Sequence, residues 1–391
     1  MTSGAAGAAE PPREELREAL REAPPPSVGS VAAATWDAFV EADPRGSYLQ
    51  LSGWAAVKAV NGWTVRRLLD SGDGQGRDAV GAQVLLRRPA PLPWAFAYAP
   101  RGPVLGAWDP AAVARFTALV REHLGSGERV SHLRIDPELE RGAGPDEGGV
   151  AVAALRTAGW RPSPPVQPVS TRVIDLTADE AALWSDLRKK WRQYVNKARN
   201  GGVRVVDAGG ERLGEFYRIY RETADRAGFL IRAASAYRDV WDAFAPSGHA
   251  RLLFAELADG SPVATLFLVR VGARVVEPYG GMTAEGAESR ANYLLKWEAI
   301  RSSRETGAAV YDLWGLAHPG IAHFKTGFGG REVAYIGAWD LVLDPFGRRT
   351  YAVAQRARVR IERLRHGLGR QGTASAAGYA GEDGADRGAD A

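Results

Sequence analysis

Four segments carry residue types that could do chemistry. In residues 186–199, DLRKKWRQYVNKAR, the cations Arg188, Lys189, Lys190, Arg192, Lys197 and Arg199 crowd into one predicted helix, with Trp191 and Tyr194 between them. Clustered Lys and Arg neutralise phosphates and release counterions, so this is a candidate nucleic-acid contact. Leu187, Trp191, Val195 and Ala198 form an apolar stripe beside the basic one. From charge alone, a solvated surface helix explains the pattern equally well. In residues 323–330, HFKTGFGG, Phe324 and Lys325 precede a Gly-rich turn, just after a strand ending Tyr311-Asp312-Leu313-Trp314-Gly315. A lysine beyond a strand end can stabilise an oxyanion or bind phosphate; a surface lysine before a turn is the plainer alternative. Leu133-Arg134-Ile135-Asp136-Pro137 ends a strand on a carboxylate. That carboxylate either orients an amine or caps a turn. Arg232, Tyr237 and Tyr279 have the donors of a diphosphate site, although each alone also suits a surface role.

The elements that would position these residues repeat. Strands are expected at 80–87 and 96–99, a helix at 111–124, and a short strand at 133–135. The second half follows the same order, with a hairpin of 250–255 and 263–271 around Asp259-Gly260, a strand at 275–278, a helix at 291–305 and a strand at 309–313. The Pro/Gly-bearing loop at 99–103 lies about 36 residues before Asp136, and the one at 278–281 about 34 before Trp314. Two α/β domains of one type are expected, at 31–170 and 171–369, with a cleft between them as a ligand site. The flanks, 1–30 and 370–391, are rich in Ala, Pro, Gly and charge and are expected to be disordered. The basic segment 356–365 is expected to form a C-terminal helix packed on the second domain; contact with the inner membrane face is its other reading.

Composition removes several function classes. The 391 residues include no cysteine, which excludes thiol nucleophiles, thiolate metal ligands and disulfides. His318 and His323 are separated by Pro319 and Gly320, so no helical metal pair is expected and no metal is assigned. Gly367-Leu368-Gly369-Arg370-Gln371-Gly372 fits a dinucleotide fingerprint but lacks the strand before it and the helix after it. Neither a P-loop nor a GxSxG elbow occurs. Without an export signal or an apolar run long enough to span a bilayer, a cytoplasmic protein is expected. Six lysines stand against 44 arginines, a bias that points to a GC-rich genome and makes each retained lysine more informative.

Read in order over residues 36–345, the blocks YLQLSGWAAVK (48–58), YAPRGPV (98–104), LRIDP (133–137), Gln167-Pro168, VIDL (173–176), the basic helix through Lys197-Ala198-Arg199, Tyr279-Gly280-Gly281, Tyr311-Asp312-Leu313 and FKTGF (324–328) resemble the Fem family of aminoacyl-tRNA-dependent peptidyl transferases. The resemblance implies two GNAT-like (acyl-CoA N-acyltransferase-like) domains side by side. Residues 216–244 leave no room for the long helical arm of some members, so the chain resembles an armless, actinobacterial FemX-like one. It further implies that Lys58, Arg232, Tyr237 and Tyr279 hold the diphosphate and sugar end of a cell-wall precursor. Asp136 would lie near the acceptor peptide, and Phe324 and Lys325 near the tRNA acceptor end, with the lysine assisting catalysis. Arg232 and Tyr237 are five apart where the armless pattern has four.

The reaction so implied moves an amino acid, glycine first, from aminoacyl-tRNA to the stem peptide of lipid II or UDP-MurNAc-pentapeptide, forming an interpeptide bridge. It needs no cofactor, because the ester is already activated, and a monomer suffices. From their charge, Lys189, Lys190, Arg192 and Lys197 are expected to meet tRNA phosphates. A CoA-dependent N-acyltransferase and a non-catalytic RNA-binding protein are the alternatives. The first would need a [QR]xxGx[GA] loop, which residues 280–297 lack.

Overall fold

A computed structural model describes residues 31–72, 79–125, 129–142, 147–316 and 319–367. The expected disordered tails, His318 and most of the GxGxxG stretch lie outside the described residues. In the first half, α1 (Ala33–Ala42) and α2 (Ser52–Ala59) precede β1 (Thr64–Asp70), β2 (Val80–Arg87), β3 (Ala95–Ala99), β4 (Val104–Leu105), α3 (Pro110–Leu124), β5 (Val130–Ile135), α4 (Glu147–Thr157) and β6 (Arg161–Ser163). Then follow β7 (Ser170–Asp175), α5 (Glu180–Asp186), α6 (Lys189–Asn200), β8 (Arg204–Ala208), α7 (Leu213–Ala227) and α8 (Ala234–Phe244). The chain continues with β9 (Ala250–Glu256), β10 (Pro262–Val271), β11 (Arg274–Met282), α9 (Ala284–Glu288), α10 (Ala291–Glu305), β12 (Val310–Asp312), α11 (Pro319–Thr326), β13 (Arg331–Ala334), β14 (Ala338–Val342) and α12 (Pro345–Gly367).

Each half contains the module that the repeat predicted. In the first, β3 and β5 run parallel, from Ala95 against Val130 to Ala99 against Ile135, and α3 makes the crossover. Asp109 caps α3 through the Ala112 N–H, Pro110 opens it, and Val113, Phe116, Thr117, Val120 and Leu124 bury one face. Burying each large apolar side chain contributes about 2 kcal/mol, which fixes that face to the sheet. In the second half β11 and β12 run parallel from Arg274–Val310 to Val276–Asp312, and α10 makes the crossover. β12 ends there while β11 continues to Met282, so the two strands part company beyond Asp312. The remaining strand pairs are antiparallel, and the expected hairpin is present as β9–β10. The segment 213–244 makes only α7 and α8, with no long arm.

The sheet order corrects the expected boundary. The first sheet runs β1-β2-β3-β5-β14-β6, with β4 on β2; the second runs β13-β7-β12-β11-β10-β9-β8. β14 returns to the first lobe and fills the slot between β5 and β6, with Trp339 opposite Ile135 and Asp340 opposite Arg134. An unfilled slot would leave one edge of the buried strand β5 without ladder partners. The second lobe is therefore not the continuous segment 171–369, and α12 starts on the first lobe, not the second. A helix's amphipathy records that it packs but not on what.

Between the lobes lies a shared core. Trp36, Tyr48, Trp54 and Val57 from the first half meet Phe216, Tyr237, Phe244, Phe267 and Trp314 from the second.

Candidate active site

Lys325 sits in the last turn of α11, a short helix where the sequence suggested a loop. Its ammonium donates to two backbone carbonyls, those of Trp314 and of Gly315, the latter at 2.9 Å. Both carbonyl residues have left-handed backbone, φ 50° at Trp314 and 57° at Gly315, and this turn just beyond β12 presents their oxygens to the lysine. Burial, aided by Lys296 and opposed by Glu277 and Asp312, lowers the Lys325 pKa to about 8. Behind it, Lys296 pairs with Glu277, and the Tyr311 hydroxyl donates to the other Glu277 oxygen at 2.8 Å. Burial, and then the Glu277 carboxylate, hold the Tyr311 phenol well above its ordinary range. Phe324 forms a wall: its ring is 5.1 Å from Phe328 and from Tyr293, and Lys296 lies 5.5 Å from its centroid. A Cβ at Gly327 would stand 2.3 Å from the Trp191 indole, so the glycine lets α6 close on this corner.

Asp136 is 3% exposed and turned into the protein. One oxygen accepts from the Arg101 N–H at 2.7 Å, the other from the Tyr98 hydroxyl at 2.8 Å and the Gln167 N–H at 3.3 Å. Asp136 thus braces the loop 100–102, in which Arg101 has φ 53°. From there a buried ionic chain crosses the lobes. Arg101 pairs with Glu138 at 3.2 Å, Glu138 with Arg274, and Arg274 with Asp312. Asp312 accepts from the Trp314 N–H at 2.8 Å, so the chain ends on the residue whose carbonyl holds Lys325. The Arg101 guanidinium also covers the Trp314 ring at 5.1 Å.

The four residues expected at a diphosphate lie in two contacting pairs, Lys58 and Arg232 at the Trp54 ring and Tyr237 with Tyr279. Lys58 lies 5.0 Å and Arg232 5.9 Å from the Trp54 ring. The Tyr237 hydroxyl accepts from the Arg232 N–H at 3.2 Å, and Tyr237 meets Tyr279 edge-on at 5.1 Å. The five-residue spacing is thus compatible with direct contact. Tyr48 links the groups, 5.8 Å from both Trp54 and Trp314.

The basic helix begins at Lys189, not at 186, because Leu187 and Arg188 are extended and break it from α5. Lys189, Lys190 and Lys197 are exposed. Arg192 does not share that role as its charge suggested: its guanidinium donates to the carbonyls of Ser185 at 2.6 Å and Leu187 at 3.1 Å, capping the end of α5. The helix adjoins the lysine corner, since the Trp191 indole donates to the Phe324 carbonyl at 3.0 Å.

Sequence reasoning missed Arg101, Glu138, Arg274, Glu277, Lys296, Tyr311 and Asp312 as parts of the site. A signal was present: Glu277, Lys296 and Asp312 are charges inside otherwise apolar strand and helix faces, where an ionised group needs a partner.

A family model described as the FemAB family matches residues 31–147, and one described as an acetyltransferase (GNAT) domain matches residues 185–326. The lipid II:glycine glycyltransferase of Staphylococcus saprophyticus is 30% identical over 230 residues, covering 56% of this chain and 54% of the relative. That of Staphylococcus aureus (strain MRSA252) is 28% identical over 229 residues, covering 56% and 53%. The chain spans about half the length of the curated relatives it matches. The crystal structure of FemX superposes with a TM-score of 0.75 at 22% identity, over 83% of this chain and 98% of that one, and so shares its fold.

Proposed function

The chain belongs to the FemAB family, and from that premise we propose that it transfers glycine from an aminoacyl-tRNA to the stem peptide of a peptidoglycan precursor, forming an interpeptide bridge. The stem amine attacks the ester carbonyl, the nitrogen gives up a proton, the tetrahedral oxyanion collapses, and the bond to the ribose oxygen breaks as that oxygen takes up a proton, so that no net proton is consumed. Orientation of amine and ester supplies most of the acceleration, since the ester is already activated. Lys325 stabilises the oxyanion or the departing ribose oxygen. Two of its three N–H groups hold the Trp314 and Gly315 carbonyls, which fixes the direction of the third.

Lys58, Arg232, Tyr237 and Tyr279 bind the diphosphate and sugar end of the precursor, lipid II in the first instance, as in the names of the staphylococcal relatives. Lys189, Lys190 and Lys197 meet tRNA phosphates beside the lysine corner. Asp136 acts through the loop it braces, setting Arg101 and with it Trp314. The reading invokes no cofactor and describes a cytoplasmic, monomeric enzyme.

The observation that carries it is a pair of groups linked by Tyr48: Lys325 held on the Trp314 and Gly315 carbonyls, and Lys58 and Arg232 beside the Trp54 ring. The test is an assay with labelled aminoacyl-tRNAs against lipid II and UDP-MurNAc-pentapeptide. Glycyl transfer to either supports the proposal; no transfer from any aminoacyl-tRNA sinks it.

The GNAT-domain match favours one other reading, CoA-dependent acylation. Between β11 and α10 the chain coils into α9, and no [QR]xxGx[GA] loop is present to bind a pyrophosphate. Acetyl-CoA turnover without tRNA would reinstate that reading.

A further inference from the structure

Helix α12 is anchored at its start, and residues 353–357 beyond the anchor are exposed. The Asp344 carboxylate accepts from the Gly347 N–H and the Trp94 indole, both at 2.8 Å. Arg348 turns inward to Asp340 at 2.8 Å, and the Tyr351 ring lies 5.0 Å from Phe96 and 5.1 Å from His132. Among the described residues the opposite face has no such cover. Phe346 is 67% and Val353 63% exposed, and every residue from 353 to 357 is exposed as the helix leaves the first lobe. Phe346 rests 5.4 Å from Trp94, at the end of a loop whose Pro91 and Pro93 are also exposed.

The first part of the helix carries charge of one sign. Residues 345–360 contain five arginines and no Asp or Glu, in a chain with 46 acidic residues. At about 100° per residue, Phe346, Val353 and Ala357 share one stripe, and the exposed Arg349, Arg356 and Arg360 run along its flank.

We propose that this face seats the protein on an anionic lipid bilayer, with Phe346, Val353 and Trp94 at the headgroup boundary and Arg349, Arg356 and Arg360 against lipid phosphates. An apolar stripe edged by cations is the form of a helix that lies in a membrane interface. Among the described residues no helix is long and apolar enough to cross a membrane, so the contact is peripheral. A second copy of the chain fits this face poorly, because a two-fold contact would set arginine against arginine. RNA would pair with the arginines but leave Val353 and Ala357 unused. The inference does not depend on the acyl-transfer reading. If that reading holds, the face keeps the enzyme where a lipid-borne acceptor lies.

The test sediments the full chain with vesicles of phosphatidylcholine alone and of phosphatidylcholine with phosphatidylglycerol. Binding is expected only to the anionic vesicles and weakens with added salt. The triple change Arg349→Gln, Arg356→Gln, Arg360→Gln weakens it at least about tenfold. Phe346→Ser with Val353→Ser weakens it too, with Tm and turnover of UDP-MurNAc-pentapeptide unchanged. Equal vesicle binding by wild type and both variants overturns the proposal. So does loss of tRNA affinity or of a dimer in the variants while vesicle binding persists.

Discussion

The two lobes repeat one device and use it differently. At the end of each crossover strand stands a carboxylate, Asp136 after β5 and Asp312 on β12, and each accepts the N–H of a non-glycine residue in left-handed backbone, Arg101 and Trp314. Asp136 also accepts from two neutral donors, Tyr98 and Gln167, and meets the Arg101 guanidinium through space. Asp312 instead takes the Thr171 hydroxyl at 2.5 Å and the buried Arg274 guanidinium. The first carboxylate closes a loop. The second sits in a chain of alternating charge that ends one residue from the carbonyls gripping Lys325. The same local geometry is therefore a brace in one lobe and a support for chemistry in the other, and the difference lies in the direct ion pair that Asp312 makes with Arg274.

Changes at these positions should separate the two uses. The largest effect is expected from Lys325→Met, a loss of at least about 100-fold in kcat with precursor affinity kept; unchanged turnover would remove the lysine from the mechanism. Next comes the contrast between the carboxylates. Asp312→Asn leaves Arg274 short of a buried partner and should cost about 3 kcal/mol in denaturant melts along with turnover. Asp136→Asn loses charge-assisted hydrogen bonds and a through-space attraction to Arg101 and should cost about 2 kcal/mol. Equal losses would show that the lobes do not differ as described.

The pH profile sharpens the second lobe's role. Because Lys325 has a pKa of about 8 in the fold against 10.5 unfolded, the unfolded chain binds more protons between those values. The burden on stability is thus full below about pH 8 and is relieved as pH rises toward 10.5. Activity runs the other way, falling as pH rises through about 8 while the proton needed for donation is lost. A rate that stays flat through pH 9 contradicts a protonated lysine in the mechanism.

Smaller effects are expected farther out. Arg232→Ala should raise the precursor KM about tenfold with little change in kcat; a change confined to tRNA affinity would show that the two ends of the junction are misassigned. Lys197→Ala should raise the tRNA KM a few-fold at low salt and less at high salt. Salt-independent behaviour would leave α6 with no part in RNA binding.

The boundary between legible and hidden features follows interaction range. Helix 291–305 could be read from periodicity because a half-buried element writes its exposure into adjacent residues, and strand 80–87 from its short apolar run, since it is buried on both faces. The break before α6 was missed because the Arg192 guanidinium, seated on the carbonyls of α5, is tertiary information in a residue that reads as a surface cation. Asp136 was singled out by its place at a strand end, but its inward orientation depends on Tyr98 and Gln167, about 30 to 40 residues away in sequence. Glu138 and Arg274 form an ion pair that no local pattern records, and both were missed.

By itself the sequence determined the two repeated α/β modules, the lack of thiol chemistry, and the ordered blocks that carry the family. These rest on local periodicity, composition and residue order. The tertiary structure decided that β14 crosses to complete the first sheet, that α12 starts on that sheet, that Arg101, Glu138, Arg274 and Asp312 form one buried ionic chain ending at Trp314, and that Lys325 sits on the Trp314 carbonyl with the Lys296–Glu277 pair behind it. Buried charges are tolerable only when opposite partners arrive from distant parts of the chain, and only folding brings those parts together.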